Sequence, residues 1–315
     1  MANKKISVNS RTRRLVLQEN IAAYLFMLPF LLFFVGFVLY PMFMCVYTSF
    51  FDATMGREDI FVGFQNYYDM MFKQGVATDG SVTYGDPVFW TALKNTMVIV
   101  LVSVPVVTAF SLWVATIISR LPVAATSAFR CIFYLPVVTG SVAVTMVWKW
   151  MFNNYYGIFN YIGKETGLLE KNINWLGDPK YALACIILIL LTTSVGQPIV
   201  LYVSALDNVD KSLVEAAEVD GATTKQAFWR IKWPQMMPTT LYILVITTIN
   251  SFQCFALIQL LTSGGPKNST MTIMYYIYYS AFKLYKYGYG NAMGVILAII
   301  IAILSALQFK AGQEK

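Results

Sequence analysis

The chain has 315 residues, of which 57% are hydrophobic and only 12% charged, with a net charge of +7. Ordinary soluble domains are roughly 45–50% apolar and about 25% charged, so this composition excludes a water-soluble fold and indicates an integral membrane protein. Histidine is absent, which removes the commonest general base and metal ligand, and no G-x-x-x-x-G-K-[ST] phosphate loop exists to make the chain its own ATPase.

A basic tail, residues 1–20, comes first and carries Lys4, Lys5, Arg11, Arg13 and Arg14. Stretches free of Asp, Glu, Lys and Arg then run from Ile21 to Phe50, Asn95 to Ser119, Cys131 to Trp148, Tyr181 to Leu206, Gln235 to Pro266 and Tyr287 to Phe309. Each reaches the ~18 residues that a helix needs to cross the hydrocarbon layer. Lipid offers backbone amides no partner, and the alternation of a barrel strand is missing, so the segments are predicted helices. The expected fold is an all-α membrane protein with six transmembrane helices in one domain, 21–309. The spans are placed at about 21–50, 95–119, 131–151, 181–206, 235–262 and 287–309. Pro105, Pro136 and Pro198 are expected to kink their helices. The first run is too long for a secretory core and lacks a small-residue cleavage site, so it reads as a retained span.

Two exterior segments are sizeable. Phe51 to Lys94 holds six acids and the stretch DGSVTYGDP, and Lys149 to Lys180 holds FNNYYGIFNYIG and NWLGDP; Gly and Pro punctuate both. Tyr275, Tyr276, Tyr278 and Tyr279 read as membrane anchors near a span end. With the N-terminus inside, 13 of the 23 basic residues fall on cytoplasmic pieces, so both termini, including 310–315, and the loop at 207–234 are expected in the cytoplasm. Much of the positive charge flanks membrane ends, where anionic headgroups attract it, and nucleic-acid binding is not indicated. Cys45, Cys131, Cys185 and Cys254 all fall inside predicted spans without paired spacing, as core thiols do; no metal site is implied.

The fourth interhelical loop contains EAAEVDGATTKQAFWRIKWPQMMP. Ser212 three residues before Glu215 is a capping-box pattern, predicting a helix start. Asp220 and Gly221 break that helix, and Thr223 or Thr224 caps a second one with Ala227, Phe228 and Ile231 on one face. Pro234 is expected to end it. Ala216 and Ala217 add little bulk, leaving a face that fits a narrow cleft on a partner.

No carboxylate or lysine lies in any of the six charge-free runs, which disfavours a proton-coupled carrier. Neutral polarity remains. Thr247, Asn250 and Gln253 recur every three residues, with Ser251 and Cys254 beside them, and the fourth span offers Thr192, Thr193, Ser194, Gly196 and Gln197. Two readings stand for these groups: exchange of hydrogen bonds with sugar hydroxyls, or helix-to-helix bonding. A sodium-coupled carrier using neutral oxygens is the alternative from another class.

The loop resembles the EAA loop of ABC importer permeases at Glu215, Ala216, Ala217, Gly221, Ile231 and Pro234. Further blocks, FRCIFYLPVVTGSVAVTMVWKWMFNNYYGIFNYI, NWLGDPKYALACIILI and FQCFALIQLLTSGGPKNSTMTIMYYIYYSAF, resemble permeases of the maltose, glycerol-phosphate and multiple-sugar transporters. The likeness spans roughly Phe89 to Phe309. It implies a type I importer permease in the inner membrane, with a second homologous permease, two ATPases and an extracytoplasmic solute-binding protein. A heterodimeric pore is expected and a homodimer is possible. ATP and magnesium would sit on the partner subunits, with no cofactor and no catalysis on this chain. Glu215, Ala216, Ala217, Asp220, Gly221, Ile231 and Pro234 would carry ATPase coupling. Gln253 and Cys254 stand where maltose permeases present asparagines, and Gly196 and Gln197 fall near another contact position. Ala256 replaces a common Asp, and Thr193 stands where many relatives have Trp. The implied cargo is a sugar or oligosaccharide, with a glycerol-phosphate or polyol derivative as competitor.

Overall fold

The apolar runs form long helices, and short polar pieces join them at both ends, in a computed structural model that describes residues 10–76 and 82–313. The first nine residues of the tail and Lys315 lie outside the described residues. Helix α1 (Ser10–Phe34) continues through a π-helical turn, Val35–Leu39, into α2 (Tyr40–Thr48). Among the described residues, this rod meets the rest of the chain chiefly at its far end, where α2 packs on the last helix. From Asn20 to Val38 every side chain is exposed, including Phe26, Phe30, Leu32 and Phe33.

The segment after α2 folds into two small antiparallel ribbons and a helix. Strands β1 (Phe51–Asp52) and β2 (Ile60–Phe61) pair Phe51 with Phe61, α3 (Gln65–Met71) follows, and β3 (Gln74–Val76) pairs with β4 (Val82–Tyr84). Asp86 then starts α4 (Pro87–Ile118) by accepting from the amides of Val88 and Phe89. This N-cap satisfies donors that a helix start otherwise leaves bare. Its free oxygen accepts from the Tyr276 hydroxyl and, at 2.7 Å, from that of Tyr289, tying three elements together. Burial, followed by the Asp86 carboxylate, raises the Tyr276 phenol above its ordinary range.

Helix α4 is the central post. It packs on α9 and α12, and its buried face feeds two clusters in succession. Phe89, Ile99 and Val104 join Ile186, Phe252, Ile258 and Met293 in the first; Val107, Ala115 and Ile118 join Ile199, Tyr202 and Ile243 in the second.

The third predicted span differs from expectation. Helix α5 (Val123–Val138) begins earlier, and α6 (Ser141–Met151) leaves it at 93° across Thr139 and Gly140. Pro136 weakens the last turn of α5 by removing a donor, and Thr139 and Gly140 take extended backbone, so the sequence-expected kink is a full break. Arg130, inside α5, reaches Asp207 at 2.7 Å.

Within α7 (Ile158–Glu165), Asn160 is buried and bonds the Ile173 backbone and the Trp175 indole, folding the segment between α6 and α8 onto itself. Helices α8 (Ala182–Ser194) and α9 (Gly196–Asp207) abut at Val195. The polar loop supplies α10 (Lys211–Val219) and α11 (Thr224–Ala227), and a π-helical turn, Phe228–Lys232, leads into α12 (Trp233–Phe252). A break at Gln253 to Phe255 precedes α13 (Ala256–Leu261).

The loop that follows is fastened to α4. Asn95 donates to the carbonyls of Asn268 and Met271 at 3.1 and 3.0 Å, and Thr96 accepts from the Ile273 amide at 3.0 Å. Helix α14 (Ile273–Tyr278) and a π-helical turn, Tyr279–Lys283, lead to α15 (Tyr287–Gln313). Tyr275 and Tyr276 are buried, so these two tyrosines are packing and tethering groups and not the membrane anchors expected from their place near a span end.

Candidate functional site

The loop between α9 and α12 is built by local chemistry alone. Asp210, not Ser212, caps α10: its carboxylate accepts from the Ser212 amide at 2.9 Å and the Ser212 hydroxyl at 2.7 Å. Those two bonds lower the Asp210 carboxyl below its ordinary range. The predicted Ser212–Glu215 box gives way because an aspartate just upstream offers a charged acceptor, and charge-assisted bonds are the stronger ones.

The other end of α10 closes as the sequence suggests. Gly221 adopts φ +79°, a left-handed conformation that costs glycine nothing sterically. The Ala222 amide donates to the Ala217 carbonyl at 2.9 Å and the Gly221 amide to Glu218 at 3.1 Å, the paired bonds of a Schellman stop. Thr223 immediately starts α11. Its hydroxyl receives the Gln226 amide at 3.3 Å, while the Gln226 side chain accepts from the Thr223 amide at 2.8 Å. A stop and a start separated by one residue leave little slack, so the corner between α10 and α11 is stiff.

Pro234 does not end the second helix. It lies just inside α12, directly after the π-helical turn Phe228–Lys232, and that local widening accommodates the proline in a helix that continues. Thr224 through Phe252 therefore runs as one continuous helical element, up to the break before α13. Ala227 is buried and Phe228 and Ile231 are half-buried, facing the body of the chain. Glu215, Ala216, Asp220 and Gly221 are exposed and Ala217 is partly so. Leu213, Ala216 and Val219 recur every three residues on α10, and Val219 is 89% exposed. Such a bare apolar stripe on a polar helix is what a contact surface looks like.

The second locus lies where two broken helices meet. The break between α5 and α6 and the break after α12 line one cavity of about 370 Å³, to which Pro136, Thr139 and Ser141 contribute from one side and Gln253, Cys254 and Phe255 from the other. Thr193 on α8 completes the polar lining. No charged residue lines it. Irregular backbone at membrane depth persists where it borders a cavity, since lipid would leave its polar groups unpaired.

Of the six candidate pathway residues, Gln253 and Cys254 are at this cavity; Asn250 and Gln197 are exposed elsewhere on α12 and α9; Thr247 is buried. Gly196 lies under α5, where any Cβ would collide with the Phe133 carbonyl and press on Val137. It permits close helix approach. Thr139 and Ser141 escaped sequence reading, although Pro136 followed by Thr139-Gly140 is a visible break signal. Among the described residues no group of His, Cys, Asp and Glu is placed to hold a metal ion.

The comparisons agree with this architecture. Residues 8–310 match the family described as binding-protein-dependent transport system inner membrane component. The chain is 31% identical over 300 residues to the probable ABC transporter permease protein YesP of Bacillus subtilis, covering 94% of this chain and 92% of that protein. It is 32% identical to the multiple sugar-binding transport system permease protein MsmF of Streptococcus mutans, covering 89% and 91%. It is also 32% identical to the lactose transport system permease protein LacF of Rhizobium radiobacter, covering 74% and 78%. The fold is similar to a chain of a bacterial ABC transporter involved in import of the acidic polysaccharide alginate, with a TM-score of 0.78 at 22% identity, covering 94% of this chain and 96% of that one. On the match across nearly its whole length, the chain belongs to the family of binding-protein-dependent transport system inner membrane components, as a multi-pass, ABC-type transport permease.

Proposed function

We propose that this chain forms one half of the pore of an importer for a neutral sugar or oligosaccharide, driven by ATPase subunits that dock on α10. The observation that carries the reading is the outward face of α10, with Glu215 and Ala216 presented beside an apolar stripe on a helix capped at both ends. In this reading both termini and the α10 loop are cytoplasmic, and ATP and magnesium reside on the partners. ATPase closure would draw two such loops together and rock the bundles between outward- and inward-open arrangements. The solute shifts that balance only by binding one arrangement better than the other.

A second permease is part of the proposal. The rod from Asn20 to Val38 buries nothing against its own chain, and a neighbouring pore half is the natural surface for it. An extracytoplasmic binding protein would deliver the solute. The cargo is argued from the cavity at the helix breaks: amide and hydroxyl groups without a cation suit a neutral polyhydroxyl compound better than a phosphorylated one.

The test is co-purification from mild detergent. Wild-type chain should bring down an ATP-binding subunit, and Glu215→Lys or Ala216→Trp should lose it while inserting normally in the membrane. Full retention of the ATPase and full solute uptake in both variants would remove the docking role.

A further inference from the structure

We propose that a groove between α4 and the α11 corner is a binding site for an anionic phospholipid, a ligand beyond the transport reaction. Ala109, Leu112, Trp113 and Thr116 recur at three- and four-residue spacing along one face of α4, and Arg120 follows just past the helix end. Thr224, Lys225, Phe228 and Trp229 close the other side, leaving a groove of about 500 Å³.

The order of these groups matches the order of parts in a phospholipid. From Ala109 to Thr116 the wall is apolar apart from its last residue, and it extends about 10 Å at the helical rise, which suits the upper part of an acyl chain. Trp113 and Trp229 are 61% and 54% exposed, and amphipathic indoles settle at headgroup level. Arg120 and Lys225 stand at the polar end with the Thr224 hydroxyl. No acid lines the groove, and among the described residues the ion pairs are Lys73 with Asp69 and Arg130 with Asp207. Two cations without carboxylate partners, set at the edge of an apolar slot, recognise a phosphate that carries net negative charge. A zwitterionic headgroup would bring its own cation into the same place.

The experiment is native mass spectrometry of the assembled transporter, equilibrated with equal phosphatidylglycerol and phosphatidylcholine in mixed micelles. Wild type should retain phosphatidylglycerol preferentially. Arg120→Gln combined with Lys225→Gln should cut that preference about 25-fold, roughly fivefold for each basic side chain near an anionic headgroup. Arg57→Gln combined with Lys286→Gln, an equal loss of charge at the opposite end of the spans, should leave it unchanged. A photoreactive p-benzoylphenylalanine replacing Trp113 should capture lipid. An unaltered preference in the first pair, an equal fall in the second, or capture of a second permease by the photoprobe would each overturn the site.

Discussion

The α10 corner allows a graded test of the proposed docking role. A Cβ at Gly221 would find nothing within 4 Å, so in the isolated chain any cost of substitution there comes from the backbone at φ +79°. An alanine in the left-handed region costs roughly 1–2 kcal/mol, asparagine less, and a β-branched side chain more. If that strain is relieved by unwinding the corner, the docking-ready population falls, and apparent affinity for the ATPase falls by the same factor. Gly221→Ala should therefore weaken ATPase binding by up to about 5–30-fold, with Gly221→Asn closer to wild type and Gly221→Val worse than alanine. Titrating purified ATPase subunit onto the nanodisc-embedded transporter lacking it gives the three affinities directly. Equal affinities for all variants would show that the corner's geometry does not control docking. An asparagine as damaging as valine would mean that steric contact with the partner, and not backbone conformation, sets the effect.

Other expectations follow from individual contacts. Asp86→Ala removes a helix cap worth about 0.5–2 kcal/mol and strands the Tyr276 and Tyr289 hydroxyls, so thermal unfolding in detergent should drop by several degrees; an unchanged midpoint would discount the tether. Because the folded protein raises the Tyr276 phenol, its stabilising contribution is complete below the unfolded value of about 10 and is lost as pH climbs beyond it. A midpoint-against-pH curve should thus decline above about pH 10, and more shallowly in Tyr276→Phe. Gly196→Val should prevent α9 from closing on α5, costing about 1–3 kcal/mol, read as early unfolding by fluorescence-detected size exclusion. Gln253→Ala should raise the KM for uptake with assembly intact, whereas a change at Gln197 that matched it would argue against the cavity at the helix breaks.

Composition made the membrane class and the run of apolar helices legible, because a charge-free stretch of bilayer length has few other fates. Gly221 and Thr223 were equally readable, since a left-handed stop and a capping box depend on residues only a few positions apart. Asp210 was not read because the Ser212–Glu215 spacing offered a complete local alternative, and which acceptor prevails depends on charge and geometry together. Pro234 misled for a related reason: the rule that proline ends a helix assumes a regular ladder, and the π-helical turn from Phe228 to Lys232 removes that assumption. The cavity was half legible. Gln253 stood out as polarity on an apolar helix, but its apposition to Thr139 and Ser141 depends on a 93° bend fixed by packing among distant segments. Tyr276 was misplaced because its partner, Asp86, lies 190 positions away in sequence.

The stiff corner gives α12 the character of a lever. This helix has 20 residues, so it is about 30 Å long, with the corner near one end and Gln253 at the other. A tilt of about 10° imposed at the corner would sweep the far tip through roughly 5 Å, comparable to the width of a sugar ring. With little play at the fulcrum, a modest push delivered at one membrane face would arrive almost undiminished deep inside the bilayer. In the docking role proposed above, mechanical gain is what the short polar connection would contribute.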